Sequence, residues 1–417
     1  MALMMTRIRI ALLLAAALAL PAFPAARTHW VATWGPSPSP QLADQAQMQA
    51  AGLVFDNQTL REIVHSTVGS DTVRVRLGNA FGTDAVQIGA AHIALRGKGA
   101  DIAAGSDRVL TFSGRPAVSI APGALVLSDP VKLDVPVAGD LAISIYLPKA
   151  ATGAGIHYSA QQTSYAGPGD LTGAASIPDP KILTSWVFLA GVDVLAPESV
   201  SLAVAFGDSI TDGACSTSDL NRRWPDVLAG RLLARRADKR IAVIDAGIGG
   251  NRILNDARVN VRYGINALAR FERDVLAQPG VKYVLVLEGI NDLGHYGPAS
   301  PESEKPGAED IIAGLKQIVE RAHEGGIKVF GGTLTPFEGT SFGTYFSPEK
   351  EVKRKAINEW IRTGGAFDGV IDFDKAVRDP DHPDRMLAAY DCGDHLHPSP
   401  AGYKAMGDAV PLELFTR

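Results

Sequence analysis

The sequence predicts an α/β protein: a three-layer, doubly wound parallel sheet over residues 199–417, preceded by an all-β sandwich, jelly-roll-like, over residues 27–198. Three observations carry this. Up to about residue 198, short runs alternate apolar and polar residues and are separated by glycine- and proline-bearing turns, the signature of half-buried antiparallel strands. Beyond it, strand-length apolar runs alternate with helix-length ones, as βαβ units require. The first of those apolar runs breaks abruptly at Gly207-Asp208-Ser209. In an open α/β sheet that edge, just outside the carboxyl ends of the strands, is where ligands bind.

Taken in order, residues 1–26 read as a secretory leader. Arg7 and Arg9 precede an uninterrupted apolar run, Ile10 to Leu20, too short to span a bilayer as a stable helix. Small residues follow at Ala22, Ala25 and Ala26, which sets cleavage near Ala26, with Pro24 standing where a small residue is usual. An uncleaved anchor is the alternative. The expected location is secreted or periplasmic, with no membrane span after cleavage.

In the first half, Asp71 to Leu77 and Leu141 to Leu147 alternate most clearly. Further strands are expected at Leu60–Val68, Val86–Leu95, Arg108–Phe112, Leu125–Leu127, Val131–Val135 and Leu183–Val194, divided by turns such as Gly78-Asn79, Pro122-Gly123 and Gly167-Pro168-Gly169. Trp30, Trp34 and Trp186 read as core residues; a sugar-stacking surface at the domain boundary is the minority reading. In the second half, strands are expected at Ser201–Phe206, Ile241–Ala246, Tyr283–Leu287, Lys328–Thr333 and Val370–Asp372. Helices are expected at Trp224–Arg236, Asn266–Leu276, Ala308–Glu324, Pro348–Thr363 and Ala401–Phe415.

The chain is 46% hydrophobic and 20% charged, with a net charge of −5. That balance suits a globular protein and argues against a nucleic-acid partner. Removing the leader makes it two units more negative, since Arg7 and Arg9 go with it.

Four stretches at strand ends or in loops carry chemistry. They are the Ser209 turn, the glycine-rich Val243 to Asn251, Leu285 to Asp292, and Asp391 to Ser399. Ester hydrolysis needs what they supply together: a serine to attack the carbonyl, a histidine to move its proton, a carboxylate to orient that histidine, and donors for the oxyanion. Ser209 fits the nucleophile, His397 the base and Asp394, three residues earlier, its carboxylate. The N–H groups of Ser209 and Gly250 and the Asn291 amide fit the oxyanion hole. Gly249 is adjacent to Gly250 and competes for that role; the strand alignment favours Gly250. Asp208 and Asp292 read as turn-ordering residues. His395 with His397 is a weak metal signal, set aside because the serine assembly explains these residues better; no metal and no cofactor is expected. His65, His92 and His323 read as ordinary core or surface residues.

These stretches resemble, in order, the four signature blocks of the SGNH (GDSL) hydrolase superfamily: Gly207-Asp208-Ser209, Gly250, Gly289-Ile290-Asn291-Asp292 and Asp394-His395-Leu396-His397. Ile210 stands where the older form of the motif has leucine. The resemblance implies a flavodoxin-like three-layer fold and a serine hydrolase that cleaves carboxylic esters through an acyl-enzyme. The β-rich half resembles the accessory sandwiches of exported carbohydrate esterases. The favoured expectation is removal of acetyl or similar short acyl groups from carbohydrate. A lipid or aryl esterase of lysophospholipase type is the alternative. A carbohydrate-binding protein with an inactive hydrolase domain is a third reading, opposed by the intact Ser209, Asn291 and His397 set.

The chain has two cysteines, Cys215 and Cys392. In an exported protein such a pair reads as a disulfide; two buried free thiols are the alternative. Cys215 follows Ser209 by six residues and Cys392 precedes His397 by five. If Ser209 and His397 meet, the sulfurs come within bonding range.

Overall fold

Strand alternation builds the first half of the chain. The computed structural model describes residues 27–235, 240–257 and 260–416; the expected leader and Arg236 lie outside the described residues. Gln58–Ser66 and Gly139–Leu147 pair antiparallel in unbroken register, from Gly139 opposite Ser66 to Leu147 opposite Gln58. They are the centre of a six-stranded sheet in the order Lys181–Leu183, Ser164–Pro168, Gln58–Ser66, Gly139–Leu147, Ala90–Leu95, Arg108–Leu110. One face sends Leu60, Val64, Leu141, Ile143 and Ile145 into the main core. The other sends Ile63, Ala142 and Tyr165 into a smaller core with Ala100 and Ile177. Cover on both faces accounts for a fully buried arginine. Arg61 donates to Ser144 Oγ and to the carbonyls of Ala100 and Ala174 at 2.7–2.9 Å, so its polar groups are satisfied away from water.

A second, five-stranded antiparallel sheet runs Thr28–Trp34, Leu189–Pro197, Ser70–Gly78, Val131–Val135, with Leu125–Leu127 also paired to Ser70–Gly78. Two expected strands are each divided. Val86–Leu95 splits at Gly89, whose N–H donates to Tyr146 O at 2.9 Å. Leu183–Val194 splits because the chain turns inward at Trp186, where it bridges to His157. Thr28–Trp34 and Ser164–Pro168 are strands that the pattern did not announce. The first is bulged between Ala32 and Trp34, which breaks its alternation, and the second ends in Gly167-Pro168, which reads as a turn.

The second half is parallel. Its sheet runs Ile241–Gly247, Ser201–Gly207, Val281–Leu287, Lys328–Gly332, Gly369–Ile371, every neighbour parallel. In chain order this is 2-1-3-4-5, the flavodoxin-like doubly wound order. Ser201–Gly207 is buried along its whole length. Helix Trp224–Leu233 packs on Pro400–Ala409, and Ala308–Glu324 packs on Pro348–Thr363 and Ala267–Phe271, giving helices on both sides of the sheet. Two helices end sooner than the periodicity suggests. After Ala267–Phe271 the chain continues as a π turn, Glu272–Leu276. Pro411 separates Pro400–Ala409 from a 3₁₀ turn, Leu412–Phe415.

The two halves share one hydrophobic cluster and a hydrogen-bonded seam. Ala32 N–H donates to Pro279 O at 3.0 Å, and Arg76 donates to Gln278 Oε1 at 2.8 Å. Asp219 accepts from Gln162 Nε2, Thr163 N and Thr163 Oγ1 at 2.6–2.7 Å. Trp34 and Trp186 pack edge-to-face, centroids 4.9 Å apart, and both are buried, in keeping with their core reading. Trp30 is half-buried beneath the Arg74 guanidinium, 4.2 Å from its ring centre. Among the described residues no helix is long and apolar enough to cross a membrane.

Candidate active site

The site forms where the strand order reverses, beyond the carboxyl end of Ser201–Gly207. Ser209 opens a one-turn helix, Ser209–Asp212. Asp208 caps it by accepting from Ile210 N–H at 2.9 Å. Gly213 ends it in the left-handed region, φ +87°. Burial pushes the Asp208 carboxyl up to about 7.

Across the sheet edge, the segment before helix Pro400–Ala409 brings His397 to the serine. Ser209 Oγ lies 2.8 Å from His397 Nε2, and His397 Nδ1 lies 2.6 Å from Asp394 Oδ2. An ionised carboxylate only accepts, so Nδ1 carries the proton and Nε2 is left to accept from the serine hydroxyl. Burial would raise the Asp394 carboxyl. Hydrogen bonds from the His397 ring and from the N–H groups of His397 and Leu396 outweigh it and hold the group down at about 2. His395, the other histidine of the pair, faces Asp391 instead.

The structure also brings the expected oxyanion groups to this cavity, which has a volume of about 600 Å³ and is lined by Ser209, Gly250, Asn291 and His397 among others. Gly249 N–H is engaged, donating to Asp212 Oδ2 at 3.2 Å. Gly250 N–H has no partner among the described residues. Gly250 is also required to be glycine: φ is +77°, and a Cβ would stand 2.3 Å from the Tyr263 ring. Asn291 is 3% exposed, and its Nδ2 has no hydrogen-bond partner among the described residues. Asp292 serves the neighbouring turn, accepting from Ile253 and Leu254 N–H at 2.8 and 3.0 Å. Cys215 and Cys392 form the expected disulfide, Cα atoms 6.3 Å apart.

Three residues of the site carry no motif. Tyr345 donates to Asn291 Oδ1 at 2.7 Å, which fixes which end of the amide faces away. Arg270, fully buried, donates to the carbonyls of Gly207 and Ala246 at 2.8 Å each and to Asn251 Oδ1 at 2.8 Å. It thus staples two strand ends to the Gly249–Asn251 turn. His157, from the antiparallel half, lines the same cavity. No local pattern signals any of the three.

Residues 205–405 match the GDSL-like Lipase/Acylhydrolase family. The chain carries a domain of that family. It is therefore a hydrolase of the ester-cleaving, acylhydrolase kind. Similar solved structures include a lipolytic protein of the G-D-S-L family from Desulfitobacterium hafniense: 24% identity, covering 50% of this chain and 97% of that one, TM-score 0.37. The native aryl esterase of M. smegmatis is 18% identical, covering 50% and 95%, TM-score 0.39. A carbohydrate acetylesterase from Sinorhizobium meliloti is 17% identical, covering 50% and 95%, TM-score 0.38. No curated protein matches the chain. Within the GDSL-like domain, part of the cavity lining is aromatic: the Tyr263 and His295 ring centres lie 5.1 Å apart at 31°, and Phe342, half-exposed, stands edge-on to His397. Burial, with the charges of Arg252 and Lys350, lowers His295 to about 4, so it contributes a neutral ring.

Proposed function

We propose that the protein is an exported serine esterase that removes short acyl groups, acetyl above all, from carbohydrate. Its two units are a β-sandwich over 27–198 and a catalytic domain over 199–417. The observation that carries the reading is the unbroken line from Ser209 Oγ through His397 to Asp394 beside a buried amide donor, Asn291 Nδ2, with no partner among the described residues. Ser209 Oγ attacks the ester carbonyl as its proton passes to His397 Nε2. The tetrahedral oxyanion takes hydrogen bonds from the N–H groups of Ser209 and Gly250 and from Asn291 Nδ2, donors of a kind worth about 3–4 kcal/mol each. Its collapse breaks the carbon–oxygen bond, and His397 returns the proton to the leaving alcohol. Water, deprotonated by His397, then releases the acid and regenerates Ser209.

The disulfide is in keeping with an oxidising location. Polar groups that also line the cavity, Ser39, Tyr158 and Ser159, suit a hydroxyl-rich alcohol. The aromatic wall and Phe342 favour a second reading, an aryl or lipid ester. Ser209→Ala should fold normally and lose several orders of magnitude of turnover; near-normal activity would remove Ser209 as nucleophile. Assays on p-nitrophenyl esters of graded chain length, acetylated xylan and lysophospholipid should rank acetyl esters and acetylated xylan first. Preference for lysophospholipid would replace the carbohydrate reading with the lipid one.

A further inference from the structure

A second buried histidine–carboxylate pair stands beside the site, and it crosses the seam. His157 belongs to the antiparallel half, where its backbone bridges to Trp186. Asp212 closes the helical turn that Ser209 opens. His157 Nε2 lies 2.9 Å from Asp212 Oδ1, and Nδ1 lies 3.0 Å from Ser37 O. A carboxylate and a carbonyl oxygen only accept. The ring therefore donates from both nitrogens, which only the imidazolium does. Each partner is 4% exposed, so the pair is shielded from solvent and salt. The other Asp212 oxygen accepts from Gly249 N–H at 3.2 Å, and the next N–H in the chain is that of Gly250.

We propose that His157 is a positioning residue for ester hydrolysis: as a cation it holds Asp212, and through Asp212 it fixes the Gly249–Gly250 turn that presents an oxyanion donor to the substrate. This rests on the assignment of Gly250 as a donor. It makes the antiparallel half a structural part of the active site.

The charged groups facing His157 are few. Asp212 comes from the nucleophile turn. Arg223 comes from the segment leading into helix Trp224–Leu233, with Asp226 and Asp245 around it. Trp186 covers the ring at 5.4 Å. Burial disfavours the imidazolium, but the charge and hydrogen bond of Asp212 outweigh burial and Arg223, and the group titrates above its ordinary value. When it loses its proton, the neutral ring can keep only one of its two donated bonds.

The test reads kcat per competent site, counted by stoichiometric fluorophosphonate labelling, so that loss of folded protein is not mistaken for loss of catalysis. His157→Gln keeps a donor and removes the charge. Its kcat per site should fall by about 10²-fold, the scale of a small misplacement of a reacting group, while KM moves less than about threefold. Wild-type kcat should decline on the alkaline side as the imidazolium deprotonates, and the variant should lack that decline. A kcat per site within about twofold of wild type overturns the proposal. If the substitution prevents folding, the wild-type profile decides: kcat that stays flat with rising pH until the protein unfolds overturns it. Ser209→Ala is measured alongside. Activity retained there removes the catalytic reading itself, whereas activity lost there with His157→Gln unaffected removes only this inference.

Discussion

Asn291 presents an acceptor at one end of its amide and two donors at the other, and only the donor end can stabilise an oxyanion. Tyr345 settles the choice by donating to the acceptor end. Burial pushes the tyrosine hydroxyl well above its ordinary value, so it stays protonated. Tyr345→Phe removes a hydrogen bond worth about 1 kcal/mol. At about 1.36 kcal/mol per factor of ten, kcat should fall roughly fivefold with KM unchanged. Asn291→Ala should cost about 10²–10³ in kcat, and adding Tyr345→Phe to it should cost nothing more, because the two act as one unit. An effect of Tyr345→Phe confined to KM would make it a substrate-binding residue instead. The contrast with Ser209, Asp394 and His397 shows what a sequence can disclose. Asp394 and His397 are three residues apart, and Ser209 sits in a glycine-flanked turn at the end of an apolar run, so local spacing singles out three side chains that the fold brings into one hydrogen-bonded line. Tyr345 reaches Asn291 from 54 residues away and His157 reaches Asp212 from 55. Neither neighbourhood has a spacing that means anything until the chain is folded.

Among the elements, Ala308–Glu324 and Pro348–Thr363 were legible to the residue, because each starts at a cap and ends at a glycine. Ser164–Pro168 was not, because its glycine and proline mimic a turn while both its edges are paired. The two loops that carry Ser209 and His397 are joined in two ways. The Cys215–Cys392 disulfide ties the Ser209 segment to the His397 segment, and Tyr403 on the last helix donates to Ala214 O at 2.6 Å. Cys215 is exposed, so the bond is open to reductant. Reduction should therefore lower activity before the protein unfolds, since Tyr403 keeps the loops adjacent while the cross-link no longer sets their register. The closed loop spans 177 residues, and a cross-link over so long a loop contributes about 5 kcal/mol in the chain-entropy account. Replacing both cysteines by serine should lower the urea midpoint accordingly. Thiol labelling of unreduced, denatured protein should find no free thiol, and two labelled thiols per chain would remove both the bond and this coupling.

At the scale of the whole molecule, the parallel half holds a set of buried or largely buried carboxyls. Burial raises Asp208 and Asp245 to about 7 and Asp292 to about 6, and it raises Glu288 well above its ordinary value. Arg270, which faces Glu288 and Asp274, only partly offsets this. A carboxyl raised in the folded state binds its proton more tightly there than in the unfolded chain. It therefore adds stability that is complete below its unfolded value near 4 and is lost as pH rises through about 6–7. His157, raised from its ordinary value, has the same sign: its contribution is complete below about 6.5 and is lost as pH climbs further. Asp394, held at about 2, has the opposite sign, and its contribution disappears only as pH falls below about 4. Between these windows the raised groups dominate, so stability should be greatest in mildly acidic solution and decline toward pH 8. Thermal unfolding midpoints should be higher at about pH 5 than at about pH 8. Asp245→Asn, which fixes one of these carboxyls in its neutral shape away from the catalytic residues, should flatten the decline. A midpoint that rises steadily from pH 5 to pH 8 would mean that these carboxyls are ionised and paired in the folded protein.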